Sequence, residues 1–298
     1  MTGERGQPSI VLSRGEQASS LGSRRSRRVA ATAVEPASPP GHSLAIVSGK
    51  GGVGKSLLAV NLALAIARAE RARRVLLVDG DAGLANADLM LGWIPSHTLS
   101  DWIEGRARID DVLTSRLPGL DLLVSGTGEA ATGLLAHFAA GGLDERARAA
   151  FGDPELAIFD LGAGIGASVV EIACACERVW LVATPEPTSL ADAYTMARRL
   201  TERRPGVALE LIVNRVKDPE EGARTHLALD RMTRRFLDRP LPLRAVLPDD
   251  PAALRAVARQ EPLATVAPNA AIARRLVLLA ESIIEELSGA PGTGGVPA

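Results

Sequence analysis

The sequence contains few cysteines, no excess of either charge and no long apolar run, and each absence excludes a class of protein. Only two of its 298 residues are cysteines, so we expect no disulfide framework. Its 34 basic and 35 acidic residues nearly cancel, which leaves no overall charge that favours a nucleic acid as partner. No apolar run approaches the roughly 18 residues that cross a membrane, and residues 1–40 lack the apolar stretch of a signal peptide. We therefore expect a soluble protein of the cytoplasm.

The cysteines and histidines do not show the spacing of a metal site. Cys174 and Cys176 stand two apart in an apolar stretch of helical type, where this spacing directs their side chains to different faces. We interpret both thiols as small buried hydrophobic groups. Four histidines form no ligand spacing with cysteines or carboxylates, and they are His42, His97, His137 and His226. No histidine or cysteine is therefore assigned a role.

Composition predicts one large domain between two flexible ends. Residues 1–42 are rich in Ser, Arg, Gly, Ala and Pro, and we interpret them as a flexible arm and linker. Residues 289–298 are rich in Gly and Pro and are predicted to be a disordered tail. Since 46% of the chain is hydrophobic, residues 43–288 can bury a substantial core as one α/β domain.

Within this domain, compact apolar runs alternate with longer segments of helical pattern. The runs are typical of buried strands, and they are Leu44–Val47, Val75–Val78, Leu120–Val124, Leu156–Phe159, Val179–Val182, Leu209–Val213 and Leu243–Leu247. The alternation predicts an α/β fold with a mainly parallel central sheet and helices on both faces. Ligands of such sheets bind at the carboxyl ends of the strands, so the residues after each run are candidates for a site.

The segment after the first run carries the clearest functional signal. Residues 49–56 read GKGGVGKS and match the phosphate-binding loop G-x-x-x-x-G-K-[ST], which belongs between a strand and a helix. Both are present, since Leu44–Val47 precedes the motif and an Ala- and Leu-rich segment, Leu57 to Ala69, follows it. The glycines let backbone N–H groups converge on phosphates, Lys55 supplies a positive charge and the Ser56 hydroxyl can ligate Mg²⁺. The sequence therefore predicts a nucleoside triphosphatase.

Two other runs deliver carboxylates to the same edge of the sheet. Asp79 and Asp81 follow the second run, and a carboxylate there can orient a water for attack on a γ-phosphate or hold the Mg²⁺ shell. Asp81 is the candidate for orienting water, although a helix or turn cap explains such an aspartate equally well. Asp160 follows another run and is expected to bind Mg²⁺ directly or through water, with capping as the alternative. Gly162 and Gly164 would let that segment approach the γ-phosphate.

The last patterned segment, Ala271 to Leu287, is predicted to be an amphipathic helix. Its apolar side carries Ile272, Leu276, Leu279, Ile283 and Leu287. Its charged residues are Glu281, Glu285 and Glu286 against Arg274 and Arg275. Helices that lie on membranes favour basic residues, so we expect ordinary packing, with weak contact to a membrane surface as the alternative.

These motifs resemble those of one class of ATPases. The lysine directly after the first glycine, Lys50, is similar to the deviant Walker A motif of SIMIBI-class ATPases related to MinD and ParA. Within that class, residues 79–88, 184–194 and 213–216 resemble the FlhG/FleN subfamily most closely, and they read DGDAGLANAD, TPEPTSLADAY and VNRV. The similarity runs from about residue 44 to about residue 287.

The resemblance implies a MinD-like fold that uses ATP and Mg²⁺ and forms a nucleotide-sandwiched homodimer. It implies that Lys50 contacts phosphates bound to the partner subunit and that Asp81 orients the attacking water. The nucleotide-binding residues it implies are Gly49, Lys50, Gly51, Gly52, Val53, Gly54, Lys55, Ser56 and Leu57, with Asn214, Pro248 and Asp249 for adenine. The magnesium-site residues it implies are Ser56, Asp79 and Asp160.

One position and one segment depart from the family's pattern. Leu57 stands where members often have a polar residue, and its side chain cannot hydrogen-bond an α-phosphate, which predicts weaker nucleotide binding. FlhG proteins also carry an N-terminal segment, D-Q-A-x-x-L-R, that stimulates the GTPase FlhF. Residues 15–22 match it only partly, since Glu16 replaces the aspartate and Gly22 replaces the arginine.

The function implied by the resemblance is an ATP-dependent switch that limits the number or placement of flagella, with slow hydrolysis stimulated by a partner. FlhF or a flagellar transcriptional regulator would be that partner, in the cytoplasm or at the inner face of the membrane or the cell pole. A MinD-type division-site ATPase is one alternative, although it would need a basic C-terminal amphipathic helix. The other is a ParA-type DNA-partitioning ATPase using arginines at 71, 73 and 74 or at 198, 199, 203 and 204. Solvated helix ends explain these runs as well, so DNA is not expected as a partner.

Overall fold

An eight-stranded sheet organises the residues that the computed structural model describes, which are 42–69, 74–81, 87–140, 151 and 154–289. In chain order its strands are β1 (His42–Val47), β2 (Val75–Gly80), β3 (Leu113–Leu117), β4 (Leu120–Val124), β5 (Leu156–Leu161), β6 (Arg178–Ala183), β7 (Ala208–Val216) and β8 (Leu243–Pro248). Across the sheet the order is β3-β4-β2-β5-β1-β6-β7-β8. Of these pairs, β3–β4 is antiparallel and the other six are parallel, so the predicted mainly parallel sheet is confirmed.

The helices cover both faces of this sheet. In the described part of the chain they are α1 (Lys55–Arg68), α2 (Ala87–Leu91), α3 (Leu99–Ile103), α4 (Glu129–Ala139), α5 (Ala167–Ala175), α6 (Pro187–Arg203), α7 (Pro219–Leu237), α8 (Pro251–Arg259), α9 (Leu263–Val266) and α10 (Ala271–Leu287). A 3₁₀ turn spans Ile109–Asp111. Apolar residues of α1 and α10 share one core cluster, while those of α4 to α7 share the cluster on the opposite face.

The central strand, β1, shows why an apolar run in this sheet can be continuous. In β1, Leu44 and Ile46 point into the cluster beneath α1, whereas Ala45 and Val47 point into the other cluster. All four residues are buried, as expected when successive side chains alternate between two covered faces. A continuous apolar run therefore indicates a strand of a sheet that helices cover on both faces.

Helix α10 packs against α1 and β8, as its pattern predicts. Ile272, Leu276, Leu279 and Ile283 are buried. Near the end of the helix, Glu286 accepts hydrogen bonds from Arg178 of β6 and, at 2.6 Å, from Arg244 of β8. Its apolar side thus belongs to the core. No helix in the described ranges is apolar over the length that a bilayer span requires.

One strand of the sheet was not predicted from the sequence. The strand β3 was missed because LTSRL mixes polar and apolar residues and lies half-exposed at the edge of the sheet.

The cysteines and the chain ends were also the subject of predictions. Cys176 is buried and Cys174 is half-buried, and burial raises the pKa of both thiols. Residues 1–41, including the segment 15–22, and residues 70–73, 82–86 and 290–298 lie outside the described residues. The predicted limits of arm, domain and tail stay predictions.

Candidate active site

The motif of residues 49–56 forms a tight loop between β1 and α1. Gly52 and Gly54 have φ angles of 75° and 98°, a region that residues with a Cβ rarely adopt. The Ser48 hydroxyl donates to the carbonyl of Lys50 at 2.7 Å. The Leu58 N–H donates to the Gly54 carbonyl at 3.0 Å, so the helix begins directly on the loop. Free N–H groups at this helix start are placed to bind phosphates.

The protein holds this loop from two sides. A Cβ on Gly49 would lie 2.1 Å from the backbone oxygen of Asp192 in α6, so only glycine fits there. On the other side, the buried Asn214 amide donates to the Val53 carbonyl at 2.7 Å, and a Cβ on Gly54 would lie 2.5 Å from that amide nitrogen. The loop is thus shaped before any nucleotide binds.

Lys55 lies inside the loop and is only 8% exposed. Burial lowers the pKa of its ammonium group, while the negative charges of Asp160 and Asp81 act in the opposite direction. A buried cation is costly unless anions accompany it. The phosphates of a nucleotide would supply such anions, and binding them is the role predicted for Lys55.

Two carboxylates face each other where β2 and β5 pair. Asp79 stands opposite Asp160 in the parallel register, and both side chains are buried. Asp79 accepts N–H bonds from Asp81 at 3.1 Å and from Ala87, the first residue of α2, at 3.0 Å. Asp79 thus makes a capping contact at the start of α2, and the alternatives stated for Asp81 and Asp160 stay predictions.

Asp160 carries an unsatisfied oxygen and an altered acidity. Its Oδ1 has no hydrogen-bond partner in the described structure. Burial and then the charge of Asp79 raise the pKa of Asp160 to about 7, while a hydrogen bond with Ser56 acts against them. An orphaned carboxylate oxygen beside a serine hydroxyl is a suitable donor pair for a hard cation.

These donors fit a magnesium ion shared with a nucleotide. Mg²⁺ is usually held by one or two carboxylates together with phosphates and water. Among the described residues, no group of three or more His, Cys, Asp or Glu side chains is arranged to hold a metal by itself. Ser56 and Asp160 would therefore supply protein ligands, with Asp79 behind them, and the phosphates would supply the rest.

Asp81 lies where an attacking water could be oriented. Its carboxylate packs against the segment after β5, since a Cβ on Gly162 would lie 3.0 Å from Asp81 Oδ1. Its negative charge also raises the pKa of Asp160 and of Lys55. The structure thus brings Asp81, Lys55 and the two facing carboxylates together, although they come from three different segments.

A cavity of about 930 Å³ lies over the loop and is of the size that ligand pockets have. Ten of the predicted residues line it, and they are Gly51, Gly52, Gly54, Lys55, Ser56, Leu57, Asp81, Asn214, Pro248 and Asp249. Residues that sequence reasoning assigned no role also line it, among them Thr184, Glu186, Arg215 and Leu254. Glu186 belongs to the TPEPTS segment, and the resemblance of that segment to the subfamily was the signal in the sequence that could have identified it as a site residue.

Two predicted contacts already have partners within the chain. Lys50, whose side chain is 38% exposed, donates to Glu186 at 2.6 Å and to the Thr188 hydroxyl at 3.1 Å. The side-chain oxygen of Asn214 accepts a hydrogen bond from the Arg215 backbone N–H at 2.9 Å. Since an amide has two donors and two lone pairs, Asn214 can still contact adenine, and both assignments stay predictions.

The raised pKa of Asp160 predicts that ionising this residue lowers the stability of the nucleotide-free protein. Because the pKa is about 7 in the folded chain against an ordinary 3.8, the contribution of Asp160 to stability is fully present below pH 4 and is lost as the pH rises through 7. We expect Asp160→Asn to raise the free energy of unfolding of the nucleotide-free protein at pH 8 by a few kcal/mol at most, since each pKa unit corresponds to about 1.4 kcal/mol. The melting temperature should rise with it. The measurement is thermal unfolding of both proteins from pH 8 to pH 5, and the gain should shrink toward pH 5. A gain that is constant with pH would contradict the assignment.

Comparisons with known proteins agree with this geometry. A family model described as CobQ/CobB/MinD/ParA nucleotide binding domain matches residues 44–263. The chain is 37% identical to the antiactivator FleN of Pseudomonas aeruginosa, over 71% of this chain and 75% of FleN. It is 31% identical to the flagellum site-determining protein YlxH of Helicobacter pylori, over 64% of each chain. The solved structure of septum site-determining MinD with Mg-ADP, from Pyrococcus horikoshii, has a TM-score of 0.65 and 26% identity, covering 83% of this chain and 97% of that one.

Proposed function

We propose, since this chain belongs to the family of CobQ/CobB/MinD/ParA nucleotide-binding domains, that it is an ATPase switch controlling the number or placement of flagella. Its substrate is ATP and its cofactor is Mg²⁺. The flagellar role rests on the similarity to FleN and YlxH. The resemblance of the 79–88 and 184–194 segments to the FlhG/FleN subfamily agrees with it.

The chemistry follows from the geometry of the site. Backbone N–H groups of the loop and the Lys55 ammonium bind the phosphates, and the wall around Asn214, Pro248 and Asp249 receives the base. Held by Ser56 and Asp160, Mg²⁺ would neutralise charge on the phosphates. Asp81 orients a water for in-line attack and accepts its hydrogen bond.

The switch requires Lys50 to change partners. In the single chain its ammonium group is bound to Glu186 and Thr188. The Lys50–Glu186 pair is exposed, so it is weak and easily exchanged. Phosphates on a second subunit would attract Lys50 more strongly, and ATP would then favour the dimer because it binds that state more tightly. Hydrolysis removes the γ-phosphate and returns the chain to the monomer.

The regulatory partner belongs to the same proposal. FlhF or a flagellar transcriptional regulator would recognise the dimer, in the cytoplasm or at the cell pole. Any membrane contact would be weak, since the apolar side of α10 is buried against the core. Contact with DNA is not proposed, because Arg204 donates inward to the carbonyls of Cys174 and Cys176 and Arg198 pairs with Glu202.

Deletion of the chain in its source organism tests the flagellar role. We expect extra or misplaced flagella, restored to normal by the wild-type chain and not by Lys55→Ala, which removes the phosphate-binding cation. The measurement is the number and position of flagella per cell by electron microscopy, with equal expression of both proteins. Normal flagella accompanied by minicells or lost replicons would instead assign the chain to division or partitioning.

A further inference from the structure

Arg215 is held in an unusual backbone conformation beside the nucleotide cavity. Its φ angle is 57°, a value that costs energy for a residue with a Cβ. The other two such residues in the described chain, Asp238 and Gln260, only end helices α7 and α8. Arg215 instead lies within β7, where the register with β8 shifts between Val213 and Val216. Irregularities of this kind redirect a side chain, often next to an active site.

The Arg215 side chain and Glu186 are both exposed and line the same cavity. The side-chain oxygen of Asn214 accepts a hydrogen bond from the Arg215 backbone N–H at 2.9 Å, which fixes the backbone from which the arginine side chain extends. The pKa of Glu186 is lowered mainly by Lys50 and, to a smaller extent, by the charge of Arg215. Glu186 thus has one cation bound and a second cation nearby.

We propose that Arg215 takes over the Glu186 carboxylate when Lys50 leaves it, and that this exchange favours the dimer. The inference rests on the proposed function, in which Lys50 moves to the partner's phosphates. A second subunit would cover the mouth of the cavity and exclude water, where an unpaired carboxylate is far more costly than at a free surface. Arginine suits the task because its planar guanidinium can bind a carboxylate through two N–H groups. Arg215 is therefore a positioning residue that acts through Glu186.

Sedimentation with a non-hydrolysable ATP analogue tests the exchange. We expect Arg215→Gln to raise the dimer dissociation constant about tenfold, Arg215→Lys to restore part of the loss, and affinity for a fluorescent ADP to stay within about twofold. Arg231→Gln is the matched control, since Arg231 is exposed on α7 and does not line the cavity. A double-mutant cycle with Glu186→Gln supplies the readout that a merely structural role would not move, because Arg215→Gln should then have no further effect.

The outcomes separate the inference from the proposed function. A wild-type chain that stays monomeric with the analogue would overturn the dimerising switch and the exchange with it. A dimer that Arg215→Gln leaves unchanged would overturn the exchange alone. Weaker ADP binding by Arg215→Gln, equal with and without Glu186→Gln, would show that the arginine contacts nucleotide directly and would also overturn it.

Discussion

Lys50→Ala is expected to lower ATP hydrolysis at least about a hundredfold while ADP binding stays close to that of the wild type. A cation placed on developing phosphate charge contributes about this much or more to a rate. Within its own chain, Lys50 contacts Glu186 and Thr188 and does not line the cavity, so its loss removes no contact to the chain's own nucleotide. The measurement is steady-state phosphate release beside equilibrium binding of fluorescent ADP.

Lys55→Ala provides the contrast within the same loop. Lys55 lines the cavity and is buried, so this variant should lose ADP affinity as well as hydrolysis. If Lys50→Ala behaves like Lys55→Ala, or hydrolyses ATP at the wild-type rate, contact with the partner subunit is the wrong role for Lys50. A mixed dimer of Lys50→Ala and Lys55→Ala subunits adds a second check. Hydrolysis should recover partly, since one nucleotide site then has both an intact loop and an intact lysine in trans.

The second large effect is expected at Asp81. Asp81→Ala should reduce hydrolysis by about 10²–10⁴, the contribution typical of general acid–base catalysis, and leave an ATP-bound dimer that persists. Its carboxylate lies against Gly162 at the cavity wall, in position to orient water and not to hold the loop. The measurement is single-turnover hydrolysis, together with the nucleotide content and sedimentation of the purified protein. Asp81→Asn is the matched variant, because it preserves shape and removes only the charge.

Undiminished hydrolysis in Asp81→Ala would reject the water-orienting role. Loss of ATP binding would do so as well, because it would show that the carboxylate supports the loop. Asp81 also raises the pKa of Lys55 and of Asp160, although it is the smallest contributor for each. These secondary effects should therefore not abolish binding.

What the sequence predicted correctly is local. Seven strands were identified because each contains a compact, mainly apolar run, and the phosphate loop because its eight residues are contiguous. The carboxylate pair of Asp79 and Asp160 follows from the same logic, since both residues lie at the carboxyl ends of runs that pair in register.

Long-range partners could not be predicted in this way. Lys50 and Glu186 are 136 positions apart, and Asn214 reaches Val53 across 161 positions. Asn214 was expected only to recognise adenine, yet its amide also supports the phosphate loop. The strand β3 was missed because an edge strand needs no continuous apolar run. Such contacts depend on where the folded sheet places its ends, which no single segment encodes.

The unsatisfied oxygen of Asp160 has a consequence for the lifetime of the protein in the cell. A chain that buries this oxygen without a hydrogen-bond partner among the described residues is less stable than it could be, and binding of Mg²⁺ and nucleotide would add its free energy to the folded state alone. Proteases degrade the unfolded fraction, so the steady-state abundance of the protein should follow the supply of its own ligands.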